Sequence, residues 1–337
     1  MTRFSHEYAT LSDYILGITE RIWEGRNIGL IRRYYAPDCV MHTQSGPVAG
    51  VQAVVAGTLA TLHQFPDRQL LGEDVIWSDD GPVRGQLSSH RIVSTQTHLG
   101  DGMFGPPTGR AIVTRAIADC RVVGDVIVEE WLLRDTAAVA RQIGLDPIAF
   151  GRALGAADRS AGLAPWHLDA WAEVAGGHAA ACALIQPPAA ALARVWTAMV
   201  NDADLSLLRQ AHDRAATFHL PGGQVAHGAE GMDRFLLSYL AALPDARLVV
   251  DRAIALREEA RPERIALRWR LAGTHLGHGA FGAPTGARVL VHGLLHAELA
   301  GPAVQRCWLV TDEVAVHRMI GAMCRESGDA RLRQAAG

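Results

Sequence analysis

The sequence contains no lysine: all 32 basic residues are arginine. That absence excludes Schiff-base catalysis, which needs a lysine amine, and a Walker-type phosphate loop, whose lysine reaches the terminal phosphates. Cysteine is sparse. The five thiols, Cys39, Cys120, Cys182, Cys307 and Cys324, are scattered, odd in number and never spaced as CxxC. Neither a disulfide framework nor a zinc site is expected, and they read as reduced, packed thiols. No apolar run approaches the roughly 18 residues that span a bilayer. Met1 to Thr10 lacks the basic-then-apolar order of a secretory leader, so a cytoplasmic protein without membrane contact is expected. Net charge is -3, and no arginine-rich run or aromatic-basic platform stands out, which argues against nucleic acid.

What is present is repetition. Thr97 to Gly109 reads THLGDGMFGPPTG, and Thr274 to Gly286 reads THLGHGAFGAPTG, 177 positions later. At the same offset Gly124 matches Gly301, Trp131-Leu132 matches Trp308-Leu309, Asp135 matches Asp312, and Arg141 to Gly144 matches Arg318 to Gly321. Upstream the order persists more loosely: Ile22-Trp23 against Val195-Trp196, His42 against His219, and Phe65-Pro66-Asp67 against Leu243-Pro244-Asp245. A chain of 337 residues exceeds the usual size of one core, and the repeat divides it into two copies of one domain. The expected division is 1–145 and 189–337, joined by a partly helical, Ala-rich connector over 146–188 that ends in Pro187-Pro188.

Each copy reads as helices followed by strands. Apolar positions Tyr8, Leu11, Ile15, Ile18 and Ile22 predict a first helix, a second short one covers Ile28 to Tyr35, and a third covers Val51 to His63. Cys39 to Thr43 is short and extended. Gln69 to Ser78, Val83 to His98, Arg110 to Val123 and Val126 to Arg134 read as strands, closed by a helix at Thr136 to Ile143. This pattern predicts an α+β fold with helices on one face of each sheet.

The repeated phrase joins two strands, so its glycines and prolines read as hairpin scaffold, and no helix follows to make a phosphate cradle. His98 and His275 sit at the strand ends, where an imidazole can face a pocket mouth and titrate near neutral pH, or bond to loop backbone as a structural group. Residues 129, 131, 133 and 135 share one strand face, as do 306, 308, 310 and 312. Asp135 and Asp312 thus stand beside Trp131 and Trp308, where apolar surface raises a carboxyl pKa and suits it to proton transfer. The alternative is that each Asp caps the helix it precedes. Trp77, Trp131, Trp269 and Trp308, with Trp23 and Trp196, supply large apolar walls. His292-x-x-x-His296 on a strand separates the imidazoles too far for one ion, so no metal is expected.

The order of elements, with a strand ending in His, Phe-Pro-Asp, THLG, PPTG and a Trp four residues before an Asp, resembles the SnoaL-like polyketide cyclase branch of the nuclear transport factor 2-like superfamily. The resemblance covers both copies and leaves out the connector. It implies a curved antiparallel sheet wrapped by helices into a cone with an apolar pocket, and two copies paired through their sheets as an internal pseudo-dimer, with further homo-oligomers open. It also implies that Asp135 or Asp312 is the acid/base of an intramolecular aldol closure, and that His42 and His219 line the pockets. Many members write Glu-His-Trp before that Asp, whereas this chain has Glu129-Glu130-Trp131 and Arg306-Cys307-Trp308. The expected function is a cofactor-free cyclase, isomerase or dehydratase acting on a small hydrophobic carbonyl compound. A non-catalytic binder of such a ligand, or a chain with one active and one degenerate copy, stands beside it.

Overall fold

The computed structural model describes residues 7–43, 45–180 and 183–324, so Cys182 and the outer ends of the two expected domains lie outside the described residues. In the first copy the elements run α1 (Leu11–Thr19), α2 (Ile31–Tyr34), β1 (Tyr35–Thr43), β2 (Gly46–Ala49), α3 (Val51–Gln64), β3 (Gln69–Asp79), α4 (Gly81–Arg84), β4 (Gln86–Thr97), β5 (Ala111–Val123), β6 (Val126–Arg134) and α5 (Thr136–Ile143). Two helices follow, α6 (Pro147–Ser160) and α7 (Leu168–Ala175), then the two-residue strand β7 (Leu184–Ile185). The second copy repeats the plan with α8 (Ala190–Asn201), α9 (Leu207–Ala211), β8 (His212–Leu220), β9 (Gln224–His227), α10 (Gly228–Ala242), β10 (Arg247–Leu256), β11 (Glu263–Thr274), β12 (Arg288–Ala300), β13 (Ala303–Thr311) and α11 (Glu313–Met323). Among the described residues no helix is long and apolar enough to cross a membrane.

Strand order is β2-β1-β6-β5-β4-β3 in the first sheet and β7-β10-β11-β12-β13-β8-β9 in the second. Pairing is antiparallel except where β1 lies parallel to β6, β8 parallel to β13 and β7 parallel to β10. The expectation of wholly antiparallel sheets is corrected there: helices intervene between β1 and the meander, and so β1 returns to the sheet in the other sense. The start of the strand predicted over Val83 to His98 also shifts, because Pro82 opens the one-turn α4 and pairing begins only at Gln86.

α1 shows why the helices cover one face. Thr10 caps it by accepting from Asp13 N, and Leu11, Tyr14, Ile15 and Ile18 recur at helical spacing and are buried. They pack on Cys120, Val122 and Ile127 from the inner face of the sheet. The outer faces of the two sheets meet each other. At their centre Ile117 and Leu133 pack on Leu294 and Val310, which are the same two positions displaced by 177 residues. The copies are thus related by a pseudo-two-fold axis. α6 lies on α11 through small residues: a Cβ at Gly155 would stand 2.0 Å from Arg318 O, and one at Gly321 2.3 Å from Arg152 O. The Asp158 carboxylate accepts twice from the Arg318 guanidinium across that contact, at 2.5 and 2.8 Å.

Candidate functional site

Strand parity decides what each face offers. On β4 the residues Ser88, His90, Ile92 and Ser94 point toward the helices, and Ser89 and Arg91 point toward the other copy, where both reach His296. On β6 the inward set is Glu130, Leu132 and Arg134, whereas Trp131 and Leu133 point outward.

The expected site residues mostly fall on the outward set. Trp131 stacks on His42 with centroids 3.7 Å apart, and Trp308 stacks on His219 at 5.4 Å, all four at the junction of the copies instead of inside the cones. Asp135 and Asp312 are both helix N-caps. Asp135 accepts from Ala138 N (2.9 Å) and from Gly223 N of the other copy (3.0 Å). Asp312 accepts from Ala315 N (3.1 Å) and from the Thr136 hydroxyl of the first copy (2.8 Å). Each carboxyl therefore fastens its own helix and the opposite copy together. Capping alone would lower their pKa values, yet burial wins and pushes both up, Asp312 to about 7 with the Asp135 charge contributing.

His98 and His275 are fully buried beneath the repeated loop. Nδ1 of each meets the threonine of the PTG sequence, His98 with Thr108 Oγ1 (3.3 Å) and His275 with Thr285 Oγ1 (3.0 Å), which ties the two ends of the loop. Trp77 packs against the first core. Trp269 is in the second core, stacked on Trp196 with centroids 6.0 Å apart.

The first cone holds a cavity in two lobes of about 50 and 60 Å³ that share Arg68, Ala116 and Arg134. One lobe is bounded by Trp23, Tyr35, His90, Cys120 and Glu130, and the other by Gln64, Phe65, Ser94, Gln96 and Phe104. Even together they fall short of the roughly 150 Å³ that admits a benzene-sized molecule. The walls are apolar with a few converging polar groups, the usual make-up of a small-molecule site. The Tyr35 hydroxyl donates to Glu130 Oε2 (2.8 Å), and Arg68 Nε donates to Ser94 Oγ (3.0 Å). His90 Nδ1 and Arg134 Nε are buried without a hydrogen-bond partner among the described residues.

Burial dominates the electrostatics of this cavity. It raises the Glu130 carboxyl above the usual carboxylate range, although the Tyr35 bond and Arg134 oppose it. It holds His90 down to about 4, so the imidazole is neutral at pH 7. Arg68 is pushed down to about 9, first by burial and then by the like charges of Arg134 and Arg26. Two guanidinium groups therefore face a cavity whose single lining carboxyl, Glu130, is raised by burial.

The second cone is lined differently. Leu267 stands where His90 does, Cys307 for Glu130, Thr311 for Arg134 and Ala297 for Cys120. Trp269 replaces Ile92, and Gly293 replaces the cavity-lining Ala116. The indole lies flat over that glycine: a Cβ at Gly293 would come within 2.0 Å of it. One large side chain thus packs over the position that Ala116 holds in the first copy.

The family model for SnoaL-like polyketide cyclases matches residues 14–143 and again 190–320. The chain belongs to the SnoaL-like polyketide cyclase family. Among solved structures the chain is similar to IdmH from Streptomyces antibioticus at 27% identity, covering 40% of this chain and 98% of that one with a TM-score of 0.35. It is also similar to a SnoaL-like polyketide cyclase from Agrobacterium tumefaciens (21% identity, 38% and 93% covered, TM-score 0.30) and to TsrD from Streptomyces laurentii (18%, 42% and 100%, 0.35). No curated protein matches the chain.

The cavity groups Tyr35, Arg68 and His90 lie outside the phrases that carry the family resemblance, whereas Glu130 and Arg134 fall within the stretch from Glu129 to Asp135. The signal that finds them is the repeat itself. At the offset of 177 His90, Glu130 and Arg134 correspond to Leu267, Cys307 and Thr311, and Arg68, which follows Phe65-Pro66-Asp67, corresponds to Ala246 at an offset of 178.

Proposed function

We propose that the first SnoaL-like domain, residues 1–145, is a cofactor-free acid/base enzyme acting next to a carbonyl of a small, largely apolar compound. On this reading the second domain, 189–337, serves as its packed partner. The observation that carries this reading is the contrast of the cones: one with a cavity lined by Glu130, His90, Arg68 and Arg134, the other with Leu267, Cys307 and Thr311 at three of those positions and Trp269 packed over Gly293.

Glu130 takes the proton from the carbon beside the carbonyl. Its raised pKa suits a base working near neutrality, and the Tyr35 hydroxyl on Oε2 leaves Oε1 for the substrate. Abstraction moves negative charge onto the carbonyl oxygen. Arg68 and Arg134, crowded and poorly compensated in the resting cavity, receive that charge as an enolate, and their mutual repulsion is relieved at the same moment. His90, neutral and with a free Nδ1, orients the substrate oxygen or passes the proton on. Return of the proton to a different atom gives isomerisation, and attack of the enolate on a second carbonyl gives ring closure.

The test is deuterium exchange in D2O, followed by proton NMR, on a panel of small 1,3-dicarbonyl compounds. The native protein accelerates exchange at the carbon between the carbonyls, and Glu130→Gln lowers that rate by about 100-fold or more. Exchange that is unaffected by Glu130→Gln would remove this residue from the mechanism. Binding of the compounds without any exchange would leave a pocket protein that only holds its ligand.

A further inference from the structure

The pseudo-two-fold axis creates two grooves between the copies, and they are occupied differently. On one side His42, Gly46 and Trp131 of the first copy face His292 of the second, and the groove receives the indole of Trp166, from the segment between the copies. Trp166 stacks on His292 with centroids 6.1 Å apart and planes 18° apart, while His292 also meets Trp131 at 5.5 Å. A Cβ on Gly46 would stand only 3.0 Å from that indole.

On the other side the corresponding residues are His219, Gln224, Trp308 and Arg115. The connecting segment occurs once in the chain, so its Trp166 fills only one of the two grooves. The second groove is an open cavity of about 190 Å³, walled by Val93, Val113, His219 and Trp308 with Asp135 at its edge. That volume exceeds the roughly 150 Å³ of an apolar cavity able to take benzene. Arg115 stands at the position of His292, its guanidinium held flat by two bonds to the Glu73 carboxylate at 3.0 Å each. A planar guanidinium stacks on aromatic faces as an imidazole does. His219 Nδ1 is buried with no partner among the described residues.

We propose that this cavity is a binding site for a planar aromatic molecule of indole size. The ligand lies against Arg115 as the Trp166 indole lies against His292 in the related groove, in the space bounded by Val93, Val113 and Val225. This site is independent of the first-copy cone and of any reaction there.

Titration of the full chain with indole by calorimetry tests the proposal. The native protein binds one indole. Val225→Trp, at an exposed position on the cavity rim, fills the groove and abolishes that binding. Trp166→Ala empties the related groove and raises the stoichiometry from one to two. Crystals soaked in 4-bromoindole locate the ligand through bromine anomalous scattering, with density expected against Arg115. No binding by the native protein, binding unchanged in Val225→Trp, or bromine density confined to the first cone would each overturn the assignment.

Discussion

The guanidinium of Arg91 lies 3.6 Å from the ring centroid of Trp308 in the opposite copy, and its repeat counterpart Arg268 lies 4.5 Å from Trp131. Each indole is thus covered by a histidine from its own copy on one face and an arginine from the other copy. The two contacts differ in how well the arginine is satisfied. Arg91 Nε bonds to Glu73 at 2.9 Å, whereas Arg268 reaches Asp119 only at 3.6 Å and leaves Nε and Nη2 without partners. Arg91→Met therefore costs about 2–3 kcal/mol, from a desolvated cation–π contact and a weakened buried ion pair. Arg268→Met costs less, because removing a poorly bonded guanidinium recovers part of its desolvation. Urea unfolding of both variants checks the order; equal losses would remove the distinction.

Much of the fold was legible because a repeat is visible without knowing what it builds. Thr97 to Gly109 and Thr274 to Gly286 revealed two copies, and the change from helical to alternating periodicity placed the helices before the sheet. The site was not legible from the same signals, for a reason that lies in the strands. β4 reads as buried along nearly its whole length, since one face meets the helices and the other meets the second sheet. Polar residues therefore occur on both faces, and sequence alone does not say which parity opens on a cavity. Trp131 and Asp135 drew notice at odd positions, while Glu130 and Arg134, one step away, face the cone. The two readings of Asp135 and Asp312 as perturbed carboxyls and as helix caps proved compatible, because a cap at a buried domain junction is desolvated as well.

Asp312 makes that junction sensitive to pH. Its carboxyl rises from 3.8 in the free state to about 7 in the fold, chiefly through burial. A group raised in this way contributes stability that is fully present below the unfolded value and is lost as pH climbs through the folded one. Asp312→Asn keeps an oxygen for the Ala315 cap and carries no charge at any pH. The difference in melting temperature between Asp312→Asn and the native protein should move in favour of the variant from pH 4 to pH 8, by the equivalent of a few kcal/mol. A difference that stays flat over this range would show that the carboxyl is not perturbed.

The second cone yields a coupling that can be measured. A Cβ at Gly293 would overlap the Trp269 indole at 2.0 Å, so Gly293→Ala should displace the ring and cost on the order of 1–3 kcal/mol as an overpacking change. Trp269→Ile together with Gly293→Ala recreates the Ile92 and Ala116 pair of the first copy. In the Trp269→Ile background the same alanine should be nearly neutral. A double-mutant cycle by chemical denaturation reads the interaction directly, and additivity of the two changes would contradict the packing described.

The repeated phrase owes its glycines to a helix end. Gln64 O at the C-terminus of α3 accepts from Leu99 N and Gly100 N at 3.0 and 3.1 Å, and Ala242 O of α10 accepts from Leu276 N and Gly277 N at 3.2 Å each. These loop amides satisfy carbonyls that a helix leaves without intrahelical partners. Such close approach leaves no room for a side chain: a Cβ at Gly100 would stand 2.0 Å from His63 O, and one at Gly277 1.9 Å from Ala241 O. Gly100→Ala and Gly277→Ala should each part the loop from its helix and cost several kcal/mol. Gly109, at φ 69° with open space around its Cβ direction, pays only the conformational penalty of about 1–2 kcal/mol when replaced by alanine. Thr108→Val removes the hydroxyl that meets His98 and should cost about 1 kcal/mol. Thermal unfolding of the four variants gives the ranking, and a Gly109→Ala loss as large as that of Gly100→Ala would mean that backbone conformation, not proximity to the helix end, dictates these glycines.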